Sequence, residues 1–507
     1  MNKIYFTFIL LFHFLFSIAQ KSLLVKGSDF TSIADAEKDL VINGDSTGFY
    51  IINNFEYLKE GECFIFKFDN TTAQKIYQKQ LQCNYNGTIS LVAIKNISGK
   101  IIMFIKVRDL SEKKVQLFRH EYKADTGDEI GAATMVDQFD IGFETDVNRN
   151  FEVIYSPDNS KMLILKEEIT DSREQIINVK IYEVESNKKI CDQKLNTDSE
   201  NQVPTGYDYL LTNEGRFCYL FETSENINGM QIISEEYSKN KTVMIPSVNT
   251  LINLKIEIVN NLLLCSGEIL EGKRQAKTND EPANMGFFLL VINPKTAEIK
   301  NQSYDYLSSE LQTKLNYKDK NYYYTEEGIK SYSFSHKAYK HYKTIYLNGS
   351  IYVIKYHGYT WRHQNSFGVE TTYPSAKEII VLKYNNFKLE WMSLIPRKNS
   401  EASKMGMNFI ISKKLHLFYF ENPENLKTPD IKNYDHKTYQ SVKASSSVLV
   451  NTVIEEDGKI IREEIKSDKD WYLPPNFNAA FLSHSKSTII STFDKKKRRF
   501  DLISVKD

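Results

Sequence analysis

From Phe151 to Leu195 the chain alternates in a way that suits a pleated strand. Phe151, Val153 and Tyr155 mark a period of two, and Ser156-Pro157-Asp158-Asn159-Ser160 then supplies consecutive turn formers. Met162 to Leu165 is a short continuous apolar run, the signature of a strand covered on both faces. Val179 and Ile181 resume the alternation, Ser186-Asn187-Lys188 turns the chain, and Ile190 to Leu195 closes a second hairpin. Four strands in one meander make a small sheet with two apolar faces. Such a sheet cannot bury both faces alone and must stack on neighbours.

The same order of strand, Asx or Gly turn, strand and loop recurs along the chain. It is read in GFYIINNFEY with ECFIFKF, in ISLVAIKN with KIIMFIKV, and in YDYLLT with RFCYLFE. It returns in LKIEIV with LLLCSGEIL, in KTIYL with SIYVIKY, and in NFIISKKLHLFYF with SSVLVNTVIEE. Turns are expected at Ser98-Gly99, Asn260-Asn261 and Asn348-Gly349. A long loop is expected between SIYVIKY and EIIVLKYNNFKLEWMSLIP. Helical spacing is weak. Phe30, Ile33 and Leu40 suggest a short helix over Ser28–Asn43, and Leu307, Leu311 and Leu315 a second over Asp305–Tyr317.

Repeated four-strand units predict an all-β fold, a β-propeller of antiparallel four-stranded blades with few short helices. The first and last units look one strand short. A blade shared by both chain ends gives seven blades, with eight as the alternative. Closure matters because it hides strand edges that would otherwise template aggregation.

Composition adds a compartment. Residues 1–19 combine Lys3, an apolar run from Ile4 to Phe16 and a Ser17-Ile18-Ala19 cleavage site, the pattern of a secretory signal. Residues 20–47 then form a lead-in and 48–507 a single propeller domain. The expected address is the periplasm, cell surface or medium, with no transmembrane segment in the mature chain. Basic and acidic residues are balanced at 65 each, so nothing pulls the chain toward nucleic acid. Five cysteines at no metal-like spacing, most inside apolar runs, read as buried free thiols in a monomer too large to need staples.

The turn SPDNSK, the segment EIIVLKYNNFKLEWMSLIP and the closing KKKRRFDLISV resemble uncharacterised exported β-propeller proteins of Gram-negative bacteria. The resemblance implies the fold and export, and it brings no functional residues. Trp-Asp repeats, a Gly-Gly kelch doublet and the Gly and Trp of a sialidase Asp-box are missing.

The chemistry-bearing candidates cluster between Tyr317 and Tyr373. This stretch holds Tyr322 to Tyr324, His336, His341, and YHGYTWRH from Tyr356 to His363. His357, Tyr359, Trp361, Arg362, His363 and Tyr373 are the candidate ligand-binding residues, because large rigid rings give contact area at low entropic cost. The histidine spacings fit no established metal motif, and neither a metal nor a cofactor is expected. Lys495 to Arg499 reads as a solvated turn, and Glu167-Glu168, Glu235-Glu236 and Glu455-Glu456 as strand ends. Local motifs of hydrolases, metalloproteases and nucleotide binders are absent.

The expectation is therefore an exported non-enzymatic propeller binding an unknown protein, peptide or glycan partner through loops at one end of the ring. The alternative is a propeller-fold hydrolase or lyase acting on polysaccharide or peptide at the central funnel. Carboxylates or histidines converging from three or more blades would favour the enzyme. A channel of unconvergent Lys, Asn and aliphatic side chains would favour binding.

Overall fold

A computed structural model describes residues 22–25, 29–31, 40–42, 44–53, 63–81, 83–141, 150–169, 175–196, 203–222, 228–234, 240–246, 250–270, 285–308, 321–325, 328–333, 339–364, 370–395, 408–411, 414–427, 448–465, 487–494 and 497–505. They form seven antiparallel four-stranded blades, each a simple meander in chain order.

Blade 1 comprises Leu40–Ile42, Gly48–Asn53, Cys63–Asp69 and Lys75–Leu81, and blade 2 Thr88–Ile97, Lys100–Asp109, Lys114–Lys123 and Thr134–Asp140. Blade 3 comprises Asn150–Tyr155, Lys161–Ile169, Gln175–Glu183 and Lys189–Asn196, the meander expected from SPDNSK. Blade 4 holds Val203–Leu211, Phe217–Glu222, Asn228–Ile233 and Lys241–Met244, and blade 5 holds Thr250–Val259, Leu262–Leu270, Met285–Ile292 and Ile299–Tyr306. Blade 6 holds Tyr339–Leu347, Ser350–Gln364, Glu370–Asn385 and Lys388–Ile395, and blade 7 Asn408–Ile411, Leu415–Glu421, Val448–Ile454 and Ile460–Ile465. The chain ends meet in a further sheet. There Lys497–Val505 pairs with Ser487–Asp494 on one side and with Ser22–Val25 and Asp29–Thr31 on the other.

Period-two alternation explains why the blades stack. In blade 2, Ile101, Met103 and Ile105 pack with Tyr50, Ile52 and Ile65 of blade 1, while Ile102 and Phe104 pack with Met162 and Ile164 of blade 3. In blade 5, Phe288, Leu290 and Ile292 join Leu220 and Ile232 of blade 4, while Phe287, Leu289 and Val291 join Val353 and Leu382 of blade 6. Six such cores join the seven blades. The far faces of blades 1 and 7 also bury large side chains, among them Phe49, Phe68 and Phe418. The sheet of chain ends touches blade 7 through Ser487–Asp494.

Turn chemistry follows the sequence. Ser98-Gly99, Asn260-Asn261 and Asn348-Gly349 all take positive φ, as does Asn386-Phe387. Two successive left-handed residues twist a two-residue loop to match the flanking strands. Blades 6 and 7 are latched where the last strand of blade 6 meets the 455–459 turn of blade 7. Trp391 Nε1 donates to Glu456 O at 2.8 Å, and Ser393 Oγ donates to Gly458 O at 2.6 Å.

Both expected helices are overturned where they are described. Asp29–Thr31 and Leu40–Ile42 are strands, Asp305 and Tyr306 end the last strand of blade 5, and Leu307 and Ser308 follow it without helix; the remainder of both stretches lies outside the described residues. Pairing with Lys497–Arg499 and with Tyr50 to Ile52 outweighs a weak local helical period. The described helix is a single turn, Pro423–Leu426, capped by Asn422. The five cysteines are buried, and none is in a disulfide.

The two ends of the blades differ. The turn from first to second strand and the turn from third to fourth open on one end. The turn from second to third strand and the links between blades open on the other. Outside blade 2, the first end carries short turns such as 260–261, 348–349 and 386–387. The opposite end carries the long connections 271–284, 307–338, 422–447 and 466–486. They concentrate on blades 5 to 7.

Candidate functional site at the seam of blades 5 and 6

On the long-connection end, blade 6 carries the longest strands in the described chain. Ser350–Gln364 and Glu370–Asn385 pair beyond the rest of the blade, from Gly358↔Ala376 to Gln364↔Glu370. The expected long loop is therefore mostly a projecting hairpin. Its period-two pattern is obscured in the sequence by Gly358 and Pro374. Register sorts the candidate ligand-binding residues. Tyr359, Trp361 and His363 share one face with Tyr373, which pairs directly with Trp361, while Arg362 pairs with Thr372 on the other face. His357 pairs with Tyr339 and is set apart by a bulge between Tyr356 and Gly358. The side chains of all six lie outside the described residues, as does His336. Tyr322 to Tyr324 sit on Asn321–Thr325, paired with Gly328–Ser333 and touching Ser350–Gln364.

Below the base of this hairpin, the seam of blades 5 and 6 changes character. Toward the short turns it is apolar, built from Val259, Leu264, Val291, Ile351 and Val353. Moving up the same registers, Leu264 is followed by Ser266 and Glu268, and Val353 by Lys355. Here alternation delivers polar groups to a buried face. Glu268 and Lys355 are both 0% exposed.

These groups are organised around His341. Its Nε2 lies 2.8 Å from Glu257 Oε2, within ion-pair range, with the ring N–H directed off the line between the two atoms. Its Nδ1 lies 3.4 Å from Ser266 Oγ. Burial pushes the Glu257 carboxyl up, but the adjacent His341 ring, a hydrogen bond from Thr344 and the charge of Lys343 outweigh it, so its pKa falls below the ordinary value. Glu268 Oε1 accepts from Asn253 Nδ2 at 2.9 Å. Lys355 Nζ has no hydrogen-bond partner and stands 5.9 Å from the centre of the Phe287 ring. Burial lowers its pKa, against the opposing charges of Glu268 and Glu257. On the blade 4 side, Asp208 pairs with Lys255 and accepts from Ile256 N at 2.6 Å. Burial raises the Asp208 pKa, with Lys255 and His341 opposing.

Bulges aim these residues. The first strand of blade 5 shifts register between Ile252 and Lys255, with Asn253 at φ 52, and that of blade 6 shifts between His341 and Lys343. Such insertions re-aim side chains next to functional sites. The result is a set of carboxylates and a histidine from blades 4, 5 and 6.

The other candidates resolve simply. Lys497 to Arg499 lie in a paired strand whose turn, 495–496, is outside the described residues. Glu455 pairs with Lys414 at 2.8 Å. These two line a cavity of about 350 Å³ with Leu347, Asn348 and Tyr352, at the short-turn end between blades 6 and 7. Among the described residues there is no cluster of metal-binding side chains. No helix there is long and apolar enough to cross a membrane.

No family model matches the chain, and no curated protein matches it. Solved structures do. It is similar to a europium-containing methanol dehydrogenase at 10% identity and TM-score 0.36, covering 94% of this chain and 85% of that one. It is similar to the β-propeller domain of the Trilobed protease from Pyrococcus furiosus at 8% identity and TM-score 0.33, covering 84% and 96%. The WD40 domain of Toxoplasma gondii coronin matches at 8% identity and TM-score 0.32, covering 96% and 87%. Likeness at this level transfers neither residues nor activity.

Proposed function

We propose that this is an exported β-propeller whose role is to bind a protein, peptide or glycan partner on its long-connection end, centred on blade 6. The observation that carries the reading is the projecting hairpin. A paired ladder holds Tyr359, Trp361, His363 and Tyr373 on one face at fixed spacing, so a partner meets rings whose backbone is already ordered. Export is supported by the apolar stretch and small-residue site within residues 1–19.

The test is a combined peptide and glycan array. It is probed with the wild-type chain, with Trp361→Ala, and with a chain in which Gly358 to Ala376 is replaced by an Asn-Gly turn. A ligand class retained by wild type and lost by both variants is expected. Equal retention by all three refutes the reading. A hydrolytic role is the second reading, and one observation favours it: the convergence of Asp208, Glu257 and His341 from three blades.

A further inference from the structure

Among the described residues, the seam of blades 5 and 6 brings a serine, a histidine and a glutamate together. Ser266 Oγ lies 3.4 Å from His341 Nδ1, and His341 Nε2 lies 2.8 Å from Glu257 Oε2. We propose that Ser266, His341 and Glu257 form a nucleophile, base and acid relay that transfers the acyl group of a small ester to water. The proposal rests on the reading that ligands meet the long-connection end at blades 5 and 6.

The geometry gives each group one role. Glu257 faces Nε2 and favours the tautomer with its proton there, which leaves the Nδ1 lone pair toward the Ser266 hydroxyl. Ser266 Oγ forms a bond to the ester carbonyl carbon while its proton passes to His341 Nδ1, and the carbonyl π pair moves onto oxygen. That pair then returns, the bond to the alcohol oxygen breaks, and the leaving alkoxide takes the proton from Nδ1. Water repeats the sequence on the acyl-serine. Its proton goes to Nδ1, the Ser266 Oγ–carbonyl bond breaks, and Oγ recovers the proton. One ester and one water become one acid and one alcohol. Glu257 remains a carboxylate throughout and balances the transient imidazolium.

Four further features fit. Both first strands are bulged at this level, as strands beside reactive sites often are. The resting Ser266 contact is long and the Glu257 contact is bent, as catalytic hydrogen bonds commonly are before substrate enters. Ser266 is 4% exposed, which restricts the substrate to a small acyl group. The partly exposed Lys255 and Glu257 give the seam a wet side.

The experiment treats the purified full chain with a short alkyl fluorophosphonate, then maps the adduct by mass spectrometry and measures hydrolysis of p-nitrophenyl acetate. One adduct on Ser266 is expected. It should be absent in Ser266→Ala at an unchanged melting temperature and at least about 100-fold slower in His341→Ala. Glu257→Gln should slow it about 10-fold or more and alter its pH profile. Should Ser266→Ala fail to fold, Ser266→Cys preserves the volume. The thiol of that variant should react with iodoacetamide, and the reaction should slow when His341→Gln is added. Absence of labelling in the native chain, labelling elsewhere, or a thiol alkylation rate in Ser266→Cys that is indifferent to His341 overturns the relay. Loss of labelling with partner capture intact refutes the relay alone. Labelling with no partner capture refutes the binding reading alone.

Discussion

Phe287 and Phe288 are adjacent in one strand and both fully buried, yet they belong to different seams. This makes face-to-face stacking measurable. Phe→Leu at either position removes about three carbon atoms of buried surface, about 2 kcal/mol at ~0.8 kcal/mol per carbon before any cavity cost. Val353→Ala in blade 6 removes two more and costs about 2 kcal/mol. Phe287 and Val353 share a core, so their double variant should depart from additivity by roughly 0.5 kcal/mol or more. Phe288 and Val353 stand on opposite sides of blade 5, so their double variant should be additive to within about 0.5 kcal/mol. The mirror cycle, Phe288→Leu with Ile232→Ala in blade 4, should couple. Urea unfolding midpoints at constant slope give all three values. Additivity for Phe287 with Val353, together with coupling for Phe288 with Val353, would reverse the assignment of faces and refute the stacking argument.

Two further outcomes follow from single groups. Asp45 accepts from Thr47, Gly48, Tyr50 and, across the seam, Asn96, and although burial alone would raise it, these bonds bring its pKa down from 3.8 to about 2. Its stabilisation is present above the unfolded value and fades as pH falls from about 3.8 toward about 2. After discounting for solvent screening it is about 1 kcal/mol, so Asp45→Asn should lose that much at pH 7 and show a flatter acid limb; an unchanged acid limb contradicts it. The five cysteines are buried as thiols, with Cys83 pushed up to about 12 by burial. Ellman's reagent should find no fast thiol in the native chain and all five in denaturant; rapid native reaction of two or more would sink this.

Alternation made the blades legible. Turn residues such as Asn159, Asn187 and Asn348 marked where strands reverse, and each takes the positive φ that turn chemistry asks for. The first residues of the fold were not legible. Phe30 and Leu40 have near-helical spacing, and what decides the conformation at Phe30 is a strand from the far end of the chain. The aromatic hairpin was read as a loop, because Gly358 and Pro374 are turn formers that here sit inside a ladder. The polar seam was missed altogether. Its signal is a break in one register: Leu264, then Ser266 and Glu268, and Val353, then Lys355. Those breaks are informative only once it is known that this register is the buried one.

That knowledge also says why the seam stands out from the rest. Across most of the ring apolar side chains dominate both faces of a blade, and replacing them with charge would cost stability, although blade 7 also buries His416, Glu421 and Asn451. Between blades 5 and 6 the chain buries an ammonium without a hydrogen-bond partner next to two carboxylates, an arrangement that contributes less than well-packed hydrophobic residues of similar volume. Apolar packing below this level, through Val259, Val291 and Val353, is what holds the two blades together. The upper half is thus relieved of that task, and it opens toward the end of the ring where blade 6 projects its hairpin. Departure from the local packing rule and the longest strands in the described chain fall on the same strand, with Lys355 at the foot and Trp361 above it. Two unrelated irregularities on one strand are what a site imposes on a scaffold, because stability alone would have removed both.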